Sequence, residues 1–96
     1  MRPSERLDQN RTAIRAIVAA HRARNPRVFG SVLRREDTEN SDLDLLVDPE
    51  PGMTLFDIGA MRWKLRDLLQ VPVDVVSPDA LPAGMRADIL ATAKPV

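Results

Sequence analysis

Val28-Phe29-Gly30-Ser31, ten intervening residues, and then Asp42-Leu43-Asp44-Leu45-Leu46-Val47 form the stretch of this 96-residue chain on which the fold turns. The second block alternates with a period of two. As a strand it sends Asp42 and Asp44 to one face and Leu43, Leu45 and Val47 to the other. Two carboxylates set side by side repel, which raises the pKa of one of them. A divalent cation with a taste for hard oxygen ligands, such as Mg2+, removes that penalty. Taken alone, the pair equally suits a solvated strand at a sheet edge. The first block reads as a short strand, Arg27-Val28-Phe29, entering a Gly-Ser turn. A brief helical segment, Val32 to Glu36, is expected to follow. Glycine lets backbone approach a ligand, the first helical amides are free, and Ser31 adds a hydroxyl. Arg34, one turn on, offers a planar fork of donors, so the ensemble suits a phosphate. A Gly-Ser turn by itself is commonly just a turn, and the lysine of a Walker loop is missing.

Outward from this stretch, a third acid draws notice. Asp74 sits within Val71-Pro72-Val73-Asp74-Val75-Val76, a segment that otherwise reads as a buried strand through Ser77. A carboxylate there needs an arginine, a metal or exposure at a cleft, because an unpaired buried charge is costly. If the strand neighbours Leu43–Asp48, Asp74 joins Asp42 and Asp44 in an oxygen cluster of the kind two-metal phosphoryl chemistry uses. The remaining elements are mostly helical. A first helix, N-capped by Ser4 and carrying Leu7, Ile14, Ile17, Val18 and His21, is ended by Asn25-Pro26. Pro49-Glu50-Pro51-Gly52 stops the second strand. A helix from Thr54 to Gln70 opens with a Thr54/Asp57 capping pair and turns Leu55, Ile58, Met61, Arg62, Leu65, Leu68 and Leu69 inward or to its edges. After Pro78 an amphipathic segment carries Leu81, Met85, Ile89 and Leu90. The order of helix, strand, helix, strand, helix, strand, helix predicts an α+β (α/β two-layer) domain spanning 1–96, a small mixed sheet flanked by helices.

Composition narrows the function. With 44% hydrophobic and 29% charged residues and no run of about 18 apolar ones, the chain is expected to be globular, outside the membrane and unsecreted. The absence of cysteine excludes disulfides and thiolate metal sites and suits a cytoplasmic location. Net charge is zero, yet residues 1–36 hold nine arginines against three acids, and residues 37–57 hold seven acids and no base. The acidic half invites a cation, and the overall balance argues against nucleic acid as a direct ligand.

The three segments Val28–Arg34, Ser41–Val47 and Val73–Val76 together resemble the minimal nucleotidyltransferase (MNT) domain of the DNA polymerase β superfamily. Its Gly-Ser, ten residues, Asp-x-Asp spacing is met without insertion, and the likeness spans roughly residues 12–93. The resemblance implies that Asp42 and Asp44 bind Mg2+, in two ions, and that Asp74 is the third carboxylate, able to activate an acceptor hydroxyl. It implies that Gly30, Ser31 and Arg34 hold the nucleoside triphosphate. Arg35 is a departure, since many relatives have glycine after the Arg34 equivalent, and a different loop shape is expected there. MNT proteins of this size resemble antitoxins paired with HEPN-domain ribonuclease toxins. The implied reaction is transfer of AMP from ATP to a toxin tyrosine.

Two other readings stand beside it. One is an antitoxin that only occludes its toxin; the other is a DNA-binding autorepressor using the arginine-rich first helix. His21 reads as a helix C-terminal partner rather than a ligand, Trp63 as core edge or partner contact, and Met53, Met61 and Met85 as packing residues.

Overall fold

In the computed structural model, which describes residues 1–96, the alternating segment becomes β2 (Leu43–Pro49). Leu43, Leu45 and Val47 are buried on one face. The other strands are β1 (Ala23–Phe29), β3 (Val73–Val76) and β4 (Lys94–Pro95). The sheet order is β3-β2-β1-β4. β2 and β3 run parallel, and β1 is antiparallel to both β2 and β4, so the sheet is mixed as expected. On the leucine face lie α2 (Arg11–Ala20), against β1, and α3 (Leu55–Leu69), against β3. Ile14, Val18, Met61, Leu65 and Leu69 meet the strand residues there in one core. Each such side chain contributes about 1.5–3 kcal/mol by leaving water. The opposite face is covered only in part. A 3-10 turn (Pro78–Ala80) lies against β2, where Leu46 and Leu81 are buried, and α4 (Ala83–Thr92) follows it. No helix is long and apolar enough to cross a membrane.

Several local expectations change. The single first helix is two, α1 (Pro3–Gln9) and α2, broken at Asn10, whose φ of -129° leaves helical geometry. Its side-chain amide donates to the Arg6 carbonyl at 2.8 Å, the local competition with helical bonding that makes asparagine a poor interior residue. Ser4 is not the cap. Arg2 is, with Pro3 in the first turn, where a missing N–H costs nothing. Asn25 and Pro26 do not end a helix but lie inside β1, at a register shift between Arg24 and Arg27. A bulge tolerates proline because it interrupts the ladder, and Asn25 takes a left-handed φ of 54°. The Thr54/Asp57 capping box forms as read, with N–H donations of 2.9 and 3.3 Å in the two directions. On α3, however, Leu55 is 83% exposed and does not face inward.

α1 is fastened to the far side of the sequence by a buried contact. The Ser4 N–H donates to Asp37 Oδ2 at 2.9 Å across 33 residues of chain. Burial pushes the Asp37 pKa up, but hydrogen bonding from Ser4 and from the Asp37 backbone and the charge of Arg2 together outweigh it and hold the carboxyl below its ordinary range. A carboxyl depressed in the fold stabilises above its ordinary pKa and loses that contribution as pH falls through the lowered value. Asp37→Ala is expected to cost about 1.5–3 kcal/mol at pH 7 in urea unfolding. The gap to the wild-type chain should close as pH drops below the ordinary carboxylate range.

Candidate active site

The β2–β3 ladder sets Asp44 opposite Asp74, and the β1–β2 ladder sets Asp44 opposite Phe29. Asp44 therefore stands on the thinly covered face, at the end of β1 from which Gly30 leads away. Asp42 immediately precedes β2, where the Leu43 N–H bonds to the Pro72 carbonyl at 2.9 Å and holds the two parallel strands together. Asp42 and Asp44 both line a cleft of about 730 Å3, together with Gly30, Ser31 and Arg34. Asp74 does not reach this cleft. It lines a shallower depression of about 270 Å3 with Arg62, Arg66 and Asp42, so Asp42 is the residue the two hollows share.

The Gly-Ser turn is a tight loop rather than the expected helical segment. Arg34 N–H bonds to Gly30 O at 3.3 Å, Arg35 N–H to Val32 O at 3.1 Å and Glu36 N–H to Ser31 O at 3.0 Å. Val32 is buried beneath it as an apolar anchor. Arg35, at a left-handed φ of 56°, ends any helical course. The turn's backbone bonds leave the amides of Ser31, Val32 and Leu33 without acceptors, so free donors are present, but from a loop. Arg35 takes the conformation a glycine adopts freely, and its guanidinium donates to Asp8 at 3.0 and 3.3 Å. Gly30 itself has φ 77°, and a Cβ there would collide with the Asp44 carboxylate, so both backbone and contact require glycine.

Charge is unevenly compensated. Burial raises the Asp44 pKa, and Asp74 and Asp42 raise it further, against a smaller opposing pull from Arg34. Asp74 meets the demand made of it in two ways at once: it is 55% exposed, and Arg62 pairs with it at 3.3 Å. The three carboxylates do not close into a ready-made metal cage. Even so, a half-buried carboxylate with two like neighbours is a site of excess negative charge, and all-oxygen donors suit a hard divalent cation.

Against this geometry, the model of the nucleotidyltransferase domain family matches residues 22–96. The chain belongs to that family. It is similar to a solved structure described as a minimal nucleotidyltransferase, with 44% identity, a TM-score of 0.87 and coverage of 97% of this chain and 95% of the other. It is also similar to the protein adenylyltransferase MntA of Thermococcus cleftensis, at 34% identity over 80% of this chain and 86% of the relative. A chain of Methanocaldococcus jannaschii described as a protein adenylyltransferase is 29% identical over 88% of this chain and 90% of its own length. A toxin-antitoxin crystal structure with AMP-PNP shares the fold at TM-score 0.76 and 19% identity, covering 90% of this chain and 71% of that one. Nucleotidyl transfer is thus the chemistry of the family in which this chain stands.

Reading the sequence missed the role of α4. Met85, Asp88, Ile89 and Thr92, at helical spacing, form the cleft wall facing the Gly-Ser turn. Met85 is 54% exposed and is not a packing residue. The available signal was the presence of Asp88 and Thr92 on the same stripe as the apolar pair. His21 behaves as read: it caps α2 and its Nδ1 lies 2.7 Å from the Ile17 carbonyl.

Because the Asp44 pKa is raised in the fold, its charge opposes folding at pH 7, and the opposition fades as the group protonates at lower pH. Asp44→Asn is therefore expected to raise the melting temperature of the metal-free chain at pH 7 in the presence of EDTA. The gain should shrink as pH falls toward the ordinary carboxylate range. Gly30→Ala, in contrast, should lower stability by at least about 1–2 kcal/mol from the left-handed backbone alone.

Proposed function

We propose that this chain is an antitoxin that transfers AMP from ATP to a tyrosine hydroxyl of a cognate HEPN ribonuclease toxin and so silences it. The observation carrying this reading is the conjunction of Asp42 and Asp44 with the Gly30-Ser31 turn in one cleft, with Asp74 on the adjoining strand. Relatives described as protein adenylyltransferases, and a toxin-antitoxin complex of the same fold, support the substrate and the partner.

In this reading Asp42, Asp44 and Asp74 would hold Mg2+, whose charge would neutralise the carboxylates and the phosphate oxygens. The Ser31 hydroxyl, the free turn amides and Arg34 bind the β- and γ-phosphates. The acceptor tyrosine enters through the depression lined by Arg62 and Arg66. Its hydroxyl oxygen forms a bond to the α-phosphorus as the bond from that phosphorus to the pyrophosphate oxygen breaks, and an Asp74 oxygen accepts the proton. Arg34 and Ser31 stabilise the charge that develops on the departing pyrophosphate. Holding the two reactants in line is the larger part of the protein's contribution.

A purely occluding antitoxin is the second reading, favoured by one observation. Leu55, Phe56 and Trp63 on α3 are 83%, 89% and 67% exposed, an apolar surface fitted to a protein partner. The uncompensated charge at Asp44 weighs toward catalysis, since a site kept only for contact gains nothing from it.

Incubation with labelled ATP, Mg2+ and the cognate HEPN-type protein is expected to place label on a partner tyrosine. The double variant Asp42→Asn/Asp44→Asn should lower transfer by at least about a hundredfold. Tight binding and ribonuclease inhibition without any label on the partner would instead identify the chain as an occluding inhibitor.

A further inference from the structure

α4 is the one long element with no buried residue. What holds it are its ends. The Arg86 guanidinium donates to the carbonyls of Pro78, Asp79 and Leu81 at 3.0, 3.4 and 3.1 Å, and β4, just beyond the helix, pairs with β1 at Lys94 and Pro95. Its stripe of Met85, Asp88, Ile89 and Thr92 is directed not into the core but at the cleft. The pairing of β4 with β1 brings the Thr92 end of the stripe toward the strand that leads into Gly30, leaving Met85 and Asp88 farther along. In the function proposed above, a triphosphate takes the end of the cleft with the Gly-Ser turn, Arg34 and the carboxylates. The volume of about 730 Å3 leaves room beyond it, along the wall that carries Met85 and Ile89, while the cleft's other apolar side chains, Phe29 and Leu33, flank the Gly-Ser turn itself. The Asp88 carboxylate makes no hydrogen bond or ion pair within the chain; only its backbone carbonyl is engaged by a side chain, the Thr92 hydroxyl at 2.8 Å. A carboxylate repels phosphate but accepts two hydrogen bonds from neighbouring hydroxyls, the pattern a ribose diol presents.

We infer that α4 is the nucleoside wall of the cleft: Met85 and Ile89 pack on the base, and Asp88 accepts hydrogen bonds from the ribose hydroxyls, selecting ribonucleotides. This rests on the reading of the cleft as a nucleoside triphosphate site. The test is calorimetric titration of the full chain, in Mg2+, with ATP, 2′,3′-dideoxy-ATP and inorganic tripolyphosphate. Wild type is expected to bind ATP about tenfold more tightly than the dideoxy analogue, the worth of a hydrogen bond to a charged group. Asp88→Ala should bind both nucleotides equally, and Asp88→Asn, keeping one acceptor oxygen, should fall between. Met85→Ala/Ile89→Ala should weaken both nucleotides and leave tripolyphosphate unchanged, which a merely unfolded helix beside a damaged site would not do. Equal binding of ATP and the dideoxy analogue by wild type, or a ratio preserved in Asp88→Ala, overturns the inference while tripolyphosphate binding keeps the triphosphate reading standing. Failure of both tripolyphosphate and ATP to bind overturns that reading and the inference with it.

Discussion

A parallel ladder that holds two like charges abreast is the constraint from which the rest of this structure follows. Asp44 and Asp74 are register partners because Leu43, Leu45 and Val73, Val75 must lie on the core side of their strands. With a side-chain period of two, slipping either strand by one residue would carry an aspartate into the core and aliphatic side chains into water. The apolar faces thus fix the acidic face without any attraction between the acids. At about 1.5–3 kcal/mol for each buried aliphatic side chain, the core outweighs the repulsion of carboxylates that remain partly in water.

The repulsion that survives is distributed unequally, and this gives the two sides of the site different characters. Asp74 has a guanidinium of its own, from Arg62 on α3. Asp44 has only the weaker pull of Arg34, whose guanidinium is also engaged with Glu36 at 3.1 Å. Asp42 stands between the hollows and belongs to both. One side is therefore electrostatically quiet and edged with arginine, and the other is left hungry for positive charge. The asymmetry suits nucleotidyl transfer, the chemistry of the family, in which a polyanionic donor needs positive charge beside it.

β2, β3 and the long third helix were legible because each is dictated by its own residues, whereas only the end of β1 was read and β4 was not. Residues 43–48 alternate, Thr54 and Asp57 cap reciprocally, and Met61, Leu65 and Leu69 recur at helical spacing. The proximity of Asp42 and Asp44 was equally a local matter, and their family spacing to Gly30-Ser31 marked the cleft. Features that depend on distant partners were hidden. Pro26 inside β1 makes sense only once a bulge and the bond from the Val96 N–H to its carbonyl at 2.9 Å are known. Ser4 reads as a cap by residue type, and its engagement with Asp37 is a tertiary fact. The failed helix at Val32–Glu36 and the cleft-facing stripe of α4 have the same origin. In each, what the chain meets elsewhere overrides what its residues prefer.

Arg35 carries this dependence into the site itself. Its left-handed backbone is one that glycine enters freely, and the arginine there is paired with Asp8 of α1, a helix outside the residues 22–96 that the family model covers. The loop that follows Gly30 thus has an external tether at a position where glycine would have intrinsic freedom. Positions 8 and 35, 27 residues apart, are coupled by this contact, and Asp8 joins Arg35 to Arg11 of α2, which it also holds at 2.8 Å. A residue in the first turns of the chain thereby bears on the shape of a loop that lines the cleft.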